Sequence, residues 1–144
     1  MKIITYTDGG SRGNPGPAAS GVYIGTEDGE ELTTFGTYLG IQTNNFAEYT
    51  AIIEALSWIL SNREKLEEIS AIECRMDSQL ACRQLSGIYK VKHPQIRPLF
   101  EKVQRLQQEL GVRFSFVHVP REQNTIADWQ VNAALDKQLP SSIQ

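Results

Sequence analysis

Near residue 45 the hydrophobic repeat of this chain changes from two residues to three or four, and that switch constrains the fold more than any other feature. Before it, residues 2–8 alternate: Ile4 and Tyr6 share one face with Asp8, while Ile3, Thr5 and Thr7 take the other. The Gly- and Pro-rich run 9–17 reads as a connecting loop. Strands are expected at 19–26 and 31–40, joined by a turn at Glu27-Asp28-Gly29-Glu30, because Asp-Gly between apolar runs signals a hairpin.

After the switch, Tyr49, Ile52, Ile53, Leu56, Ile59 and Leu60 recur at helical spacing, which predicts an amphipathic helix over 45–61. A fourth strand is expected at 69–76 and a short helix at 78–86. Beyond Pro94 and Pro98, Leu99, Val103, Leu106 and Leu110 mark another helical stripe. A fifth strand follows at 112–119, a loop at 120–124 and a last helix at 125–138. The order βββαβααβα implies an α/β fold with one mixed five-stranded sheet. Three strands are antiparallel, two further strands are parallel, and helices lie on both faces. The expectation is one domain over 1–144.

Composition narrows the class. Apolar residues are 40% and charged residues 22%, enough to build a core and against disorder. No stretch approaches the ~20 apolar residues of a membrane span, and the polar start is too short for a secretory signal. Cys74 and Cys82 lack framework spacing, so free thiols and a cytoplasmic location are expected. Net charge is −3, yet its distribution is uneven. Residues 1–74 hold 4 basic and 11 acidic side chains, whereas residues 75–113 hold 8 basic and 3 acidic. That basic stretch reads either as a solvated helix face or as a patch beside a polyanion site.

Four acids fall at informative places. Asp8 ends the first predicted strand on its apolar face, although Asp before Gly also suits a turn. Glu48 precedes Ile52, Ala55 and Ile59 at helical intervals, and it also fits a capping box with Asn45 as N-cap. Asp77 follows the fourth strand, where it reads equally as an N-cap. Asp128 opens the last helix, where it suits the macrodipole, and its spacing turns it toward the sheet. Asp8 and Asp77 both stand at carboxyl ends of strands predicted to be parallel, which is where ligand crevices form. Four converging carboxylates need a multivalent cation to screen them. Oxygen-only ligands select a hard ion such as Mg²⁺ or Mn²⁺, and carboxylates sharing two metals suit in-line phosphodiester displacement.

Several motifs in register resemble type 1 ribonuclease H: Thr7-Asp8-Gly9-Gly10-Ser11, Gly13-Asn14-Pro15-Gly16-Pro17, Thr43-Asn44-Asn45 with Glu48, Asp77-Ser78-Gln79, and His118 with Asn124 and Asp128. The resemblance covers essentially the whole chain. It implies metal-dependent endonucleolytic hydrolysis of the RNA strand of RNA–DNA hybrids, leaving 3′-hydroxyl and 5′-phosphate ends. It implies two Mg²⁺ ions, with Mn²⁺ able to substitute. Asp8 would bridge both ions, Asp128 would hold the water-side ion, and Glu48 and Asp77 the leaving-side ion. Glu48 would also touch the ribose 2′-OH, which distinguishes RNA from DNA. His118 corresponds to the family's mobile histidine, here followed by Val119-Pro120-Arg121-Glu122 rather than a Gly-rich loop.

The same resemblance assigns substrate contacts to Gly9, Gly10, Asn14, Thr43, Asn44, Asn45, Gln79 and Asn124. The amides suit the minor groove, and capping or turn chemistry is their ordinary alternative. The stretch 85–92 lacks the basic protrusion of many members and is similar to the subgroup marked by His118-Val119-Pro120-Arg121-Glu122. Lys90, Lys92, Arg97 and Arg75 would then supply phosphate contacts. No membrane, obligate protein partner or oligomer is expected. The competing readings are a related DNA nuclease, a catalytically idle hybrid-binding module, and a globular protein whose acids are only caps.

Overall fold

The alternating segment forms three strands: β1 (Lys2–Ser11), β2 (Gly16–Thr26) and β3 (Glu31–Gln42). A computed structural model describes residues 1–138; residues 139–144 of the expected domain lie outside it. Helix α1 (Asn44–Asn62) follows, then β4 (Ala71–Met76), α2 (Gln79–Leu85), α3 (Arg97–Leu110), β5 (Arg113–His118) and α4 (Thr125–Asp136). The sheet order is β3-β2-β1-β4-β5. β1 pairs antiparallel with β2 and parallel with β4, and β4 pairs parallel with β5. The expected element order and mixed sheet are therefore present. Among the described residues no helix is long and apolar enough to cross a membrane.

The run 9–17 corrects the loop expectation. Gly9, Gly10 and Ser11 continue β1, pairing with Ser20, Ala19 and Ala18, and β2 already begins at Gly16. Sequence rules treat glycine as a breaker, but a strand accepts it where another backbone comes very close. A Cβ at Gly9 would lie 2.2 Å from the carbonyl carbon of Ala47 in α1. A Cβ at Gly21, opposite Asp8 in β2, would lie 2.0 Å from the Ala127 oxygen in α4. Neighbouring strand residues face opposite ways, so α1 and α4 press on opposite faces of the sheet.

The main core lies on the α1 face. Ile3, Val22, Ile24, Ile72 and Met76 of the sheet meet Ile52, Leu56 and Ile59 of α1 and Val103 and Leu110 of α3. Each of these large side chains is 0–1% exposed, worth about 1.5–3 kcal/mol apiece when fully buried. A smaller cluster of Ala19, Val131, Ala134 and Leu135 seats α4. Cys74 and Cys82 are buried and free.

Candidate active site

Asp8 lies within β1 rather than at its end, three residues before Ser11, and is 7% exposed. The Gly9 amide donates to its Oδ1 at 3.0 Å. Around it, three local devices fix the other acids. Thr43, not Asn45, caps α1, its hydroxyl accepting from the Phe46 amide at 3.1 Å. The capping-box role for Glu48 is thereby corrected, and Glu48 is left free on the face turned to β1. Asn44 ties the start of α1 to the end of β1: its Oδ1 accepts from the Ser11 amide at 2.8 Å and from the Ser11 hydroxyl at 3.0 Å. The Asn44 amide in turn donates to Asn14 Oδ1 at 3.0 Å.

The second device holds Asp77. Ser78, not Asp77, caps α2, accepting from the Ala81 amide at 3.2 Å. Asp77 follows directly on β4, whose Met76 pairs with Thr7, so the two acids come next in register. The third device is Asn124. Its Nδ2 donates to the Thr7 carbonyl at 2.8 Å, and its own carbonyl accepts from the Asp128 amide at 3.1 Å. Asn124 therefore clasps the first turn of α4 to the strand residue before Asp8. It is 1% exposed, which corrects its expected role as a substrate contact: no substrate can reach a side chain inside this clasp.

Asp8, Glu48 and Asp77 each offer a carboxylate oxygen, all within 4.8 Å of one another. Asp128 stands beside Asp8, and all four acids line one cleft of about 460 Å³ with Gly10, Asn44 and Asn45. Burial, and then the charges of Asp77 and Asp128, push the Asp8 carboxyl up to about 7. Burial, and then Asp8 and Asp77, hold Glu48 well above the usual carboxylate range, with the Gly9 amide opposing. Like charges this close disfavour joint ionisation. The donor set is all oxygen, without His or Cys, and suits a hard divalent cation.

The remaining expected residues divide. Gly9 is buried with its amide turned to the Asp8 carboxylate, which corrects its expected role as a substrate contact. Asn14, Asn45 and Gln79 remain at the cleft or exposed near it, and Thr43 is spent on capping. His118 is exposed at the end of β5 opposite Met76 and does not line the cleft. Arg75 is committed elsewhere: it pairs with Glu73, donates to the Tyr6 hydroxyl and stacks on the Tyr6 ring, so a phosphate role is corrected. Lys90, Lys92 and Arg97 are exposed. Arg121 has no separate signal in the sequence, yet its Nε lies 3.8 Å from Asp77 Oδ2, an oxygen otherwise buried without a hydrogen bond. Only the geometry of the Arg121–Gln123 turn reveals it.

A family model described as reverse transcriptase-like matches residues 6–134. The chain is 47% identical to LC11-RNase H1, solved in complex with an RNA/DNA hybrid, with a TM-score of 0.89 over 96% of this chain and 99% of that one. It is 39% identical to the bifunctional protein Rv2228c of Mycobacterium tuberculosis, over 94% of this chain and 36% of the relative. It is 38% identical to ribonuclease HI of Halobacterium salinarum, over 94% of this chain and 65% of the relative. The chain thus spans about a third of the mycobacterial protein and about two-thirds of the halobacterial one.

Proposed function

The chain belongs to the reverse transcriptase-like family, in its type 1 ribonuclease H branch, and we propose that it hydrolyses the RNA strand of RNA–DNA hybrids. One observation carries this reading: acids from β1, α1 and the end of β4 gather within 4.8 Å, with Asp128 of α4 beside Asp8. Such a cluster is costly unless cations screen it. Mg²⁺ is the proposed ion, two per site, with Mn²⁺ as a substitute. Asp8 would be shared between them, Asp128 would hold one, and Glu48 and Asp77 the other. Bound there, the pair supplies acidification of water and neutralisation of charge developing on phosphorus.

The protein's own groups orient the substrate. Glu48 is proposed to meet the ribose 2′-OH, the group that distinguishes RNA from DNA. Asn14, Asn45 and Gln79 would present amides to the minor groove, together with the Asn44 Nδ2, since its Oδ1 already holds Ser11. The backbone of Gly10 and the Arg121 guanidinium, which line the cleft beside the acids, would contact phosphate. Lys90, Lys92 and Arg97 would contact more distant phosphates, making affinity salt-dependent. His118 would assist turnover from the rim rather than from within the cleft. The two free buried thiols suit a reducing cytoplasm, and residues 1–144 would act as one catalytic unit, a monomer.

The test compares hybrid, RNA duplex and DNA duplex, each with Mg²⁺, Mn²⁺ or EDTA. Cleavage confined to the hybrid's RNA strand, and abolished by EDTA, is expected. Comparable cleavage of all-DNA duplex would replace this reading with a DNA nuclease.

A further inference from the structure

α4 covers the Asp8 face of the sheet over β1, β2 and β3, yet it leaves an aromatic row open. Tyr6 pairs with Tyr23 of β2 on one side and with Arg75 of β4 on the other, and Arg75 continues to Val117 of β5. The two tyrosine rings meet edge to face at 5.9 Å, and the Arg75 guanidinium lies 5.3 Å from the Tyr6 ring centre. A pocket of about 220 Å³ opens over this row, lined by Tyr6, Tyr23, Gln123, Asn124, Thr125 and Ile126. That is below the roughly 300–1,000 Å³ of drug-sized sites and matches a single planar ring. Ile126 is 48% exposed although it walls an apolar pocket.

Tyr6 shares its strand face with Asp8 two residues on, roughly 7 Å along β1. The Arg121–Gln123 turn borders both places, with Arg121 on the cleft and Gln123 on the pocket. We propose that this pocket is a stacking subsite for one unpaired nucleobase of the RNA strand, next to the catalytic cleft. The inference rests on the hybrid-cleaving function proposed above. Local charge favours a base over a phosphate. Glu73 holds both Lys2 and Arg75, and Glu31 lies beside Tyr23, so among the described residues the pocket is lined by no cation. Aromatic faces accept any base, at a gain that is sequence-tolerant. A paired base cannot leave its stack cheaply. The subsite therefore acts where the hybrid ends in an RNA overhang, and it steers cleavage toward hybrid termini.

Initial rates test this on three Mg²⁺-dependent substrates: a blunt hybrid, the same hybrid with a 5′ RNA overhang, and the same with a 3′ RNA overhang. One overhang should lower KM roughly tenfold relative to the blunt hybrid with kcat unchanged, the signature of uniform binding. A 2-aminopurine at its first unpaired position should be quenched on binding with Ca²⁺ in place of Mg²⁺. Tyr23→Leu should bring the KM ratio toward one and remove the quench. Should Tyr23→Leu fail to fold, Ile126→Glu serves instead, since an acid in the first turn of α4 suits the helix dipole. Blunt hybrid cut with ratios of one for both overhangs, or ratios unchanged in the variant, would overturn the subsite alone. No cleavage of any hybrid would overturn the proposed function itself.

Discussion

Replacing Asp8 by Asn should make the metal-free protein more stable at pH 8 while destroying its activity. The folded-state Asp8 carboxyl is raised from 3.8 to about 7. A raised acid favours the fold fully below the unfolded value, and that contribution is lost as pH climbs through the folded one. The window is therefore pH 4 to 7. A shift of about three units corresponds to roughly 4 kcal/mol. Coulomb's law gives a similar size, about 3–4 kcal/mol for two charges 4.8 Å apart at an effective dielectric of 20. The amide loses at most about 1 kcal/mol of hydrogen bonding and keeps an oxygen for the Gly9 N–H, so removing a charge that is disfavoured by burial first and by Asp77 and Asp128 next wins. In EDTA at pH 8, Asp8→Asn should gain about 3 kcal/mol, or roughly 6–12 °C in Tm. Near pH 4 the gain should nearly vanish. Mn²⁺ should raise the parent's Tm more than the variant's, because only the intact cluster binds it well. Melting curves by circular dichroism decide the matter. A variant that melts no higher than the parent at pH 8, or by a margin independent of pH, refutes the reasoning.

Three other outcomes follow from the same geometry. Glu48→Gln and Asp77→Asn should each lower hybrid cleavage by at least about a thousandfold with unchanged circular dichroism, because each removes a charge meant for the cation. His118→Ala should slow turnover yet leave measurable cleavage, since the residue is exposed and does not line the cleft; complete loss in a steady-state assay would place it among the essential groups. Asn124→Ala should cost about 1–3 kcal/mol in urea unfolding, the penalty of stripping a buried partner from the Thr7 carbonyl, and should also lower kcat as Asp128 loses its tether.

Much of the site was legible because its acids fall where two periodicities intersect. Asp8 sits on the apolar phase of an alternating strand, and Glu48 and Asp128 sit beside apolar helical stripes; no tertiary knowledge is needed to see that all three turn inward. Other features depend on partners far away in sequence. Gly9 reads as a breaker because its purpose, letting α1 approach, is visible only once α1 is present. The capping expectations at Asn45 and Asp77 each missed by one or two residues, since Thr43 and Ser78 offer the same oxygen chemistry nearby. By motif and by charge, Asn124 and Arg75 resemble ligand contacts. The Thr7 carbonyl and the Glu73–Tyr6 pair claim them, and neither partner can be inferred from local sequence.

The close approach of α1 at Gly9 and of α4 at Gly21 leaves β1 no slack where Asp8 sits. The acids cannot drift apart to ease their mutual strain, so the protein tolerates discomfort in its resting state instead of reorganising when substrate arrives. Any change that lifts either helix by even about half an ångström would trade that readiness for comfort. Surface substitutions far from the cleft, on the outer faces of α1 or α4, therefore have a direct route to the reaction rate.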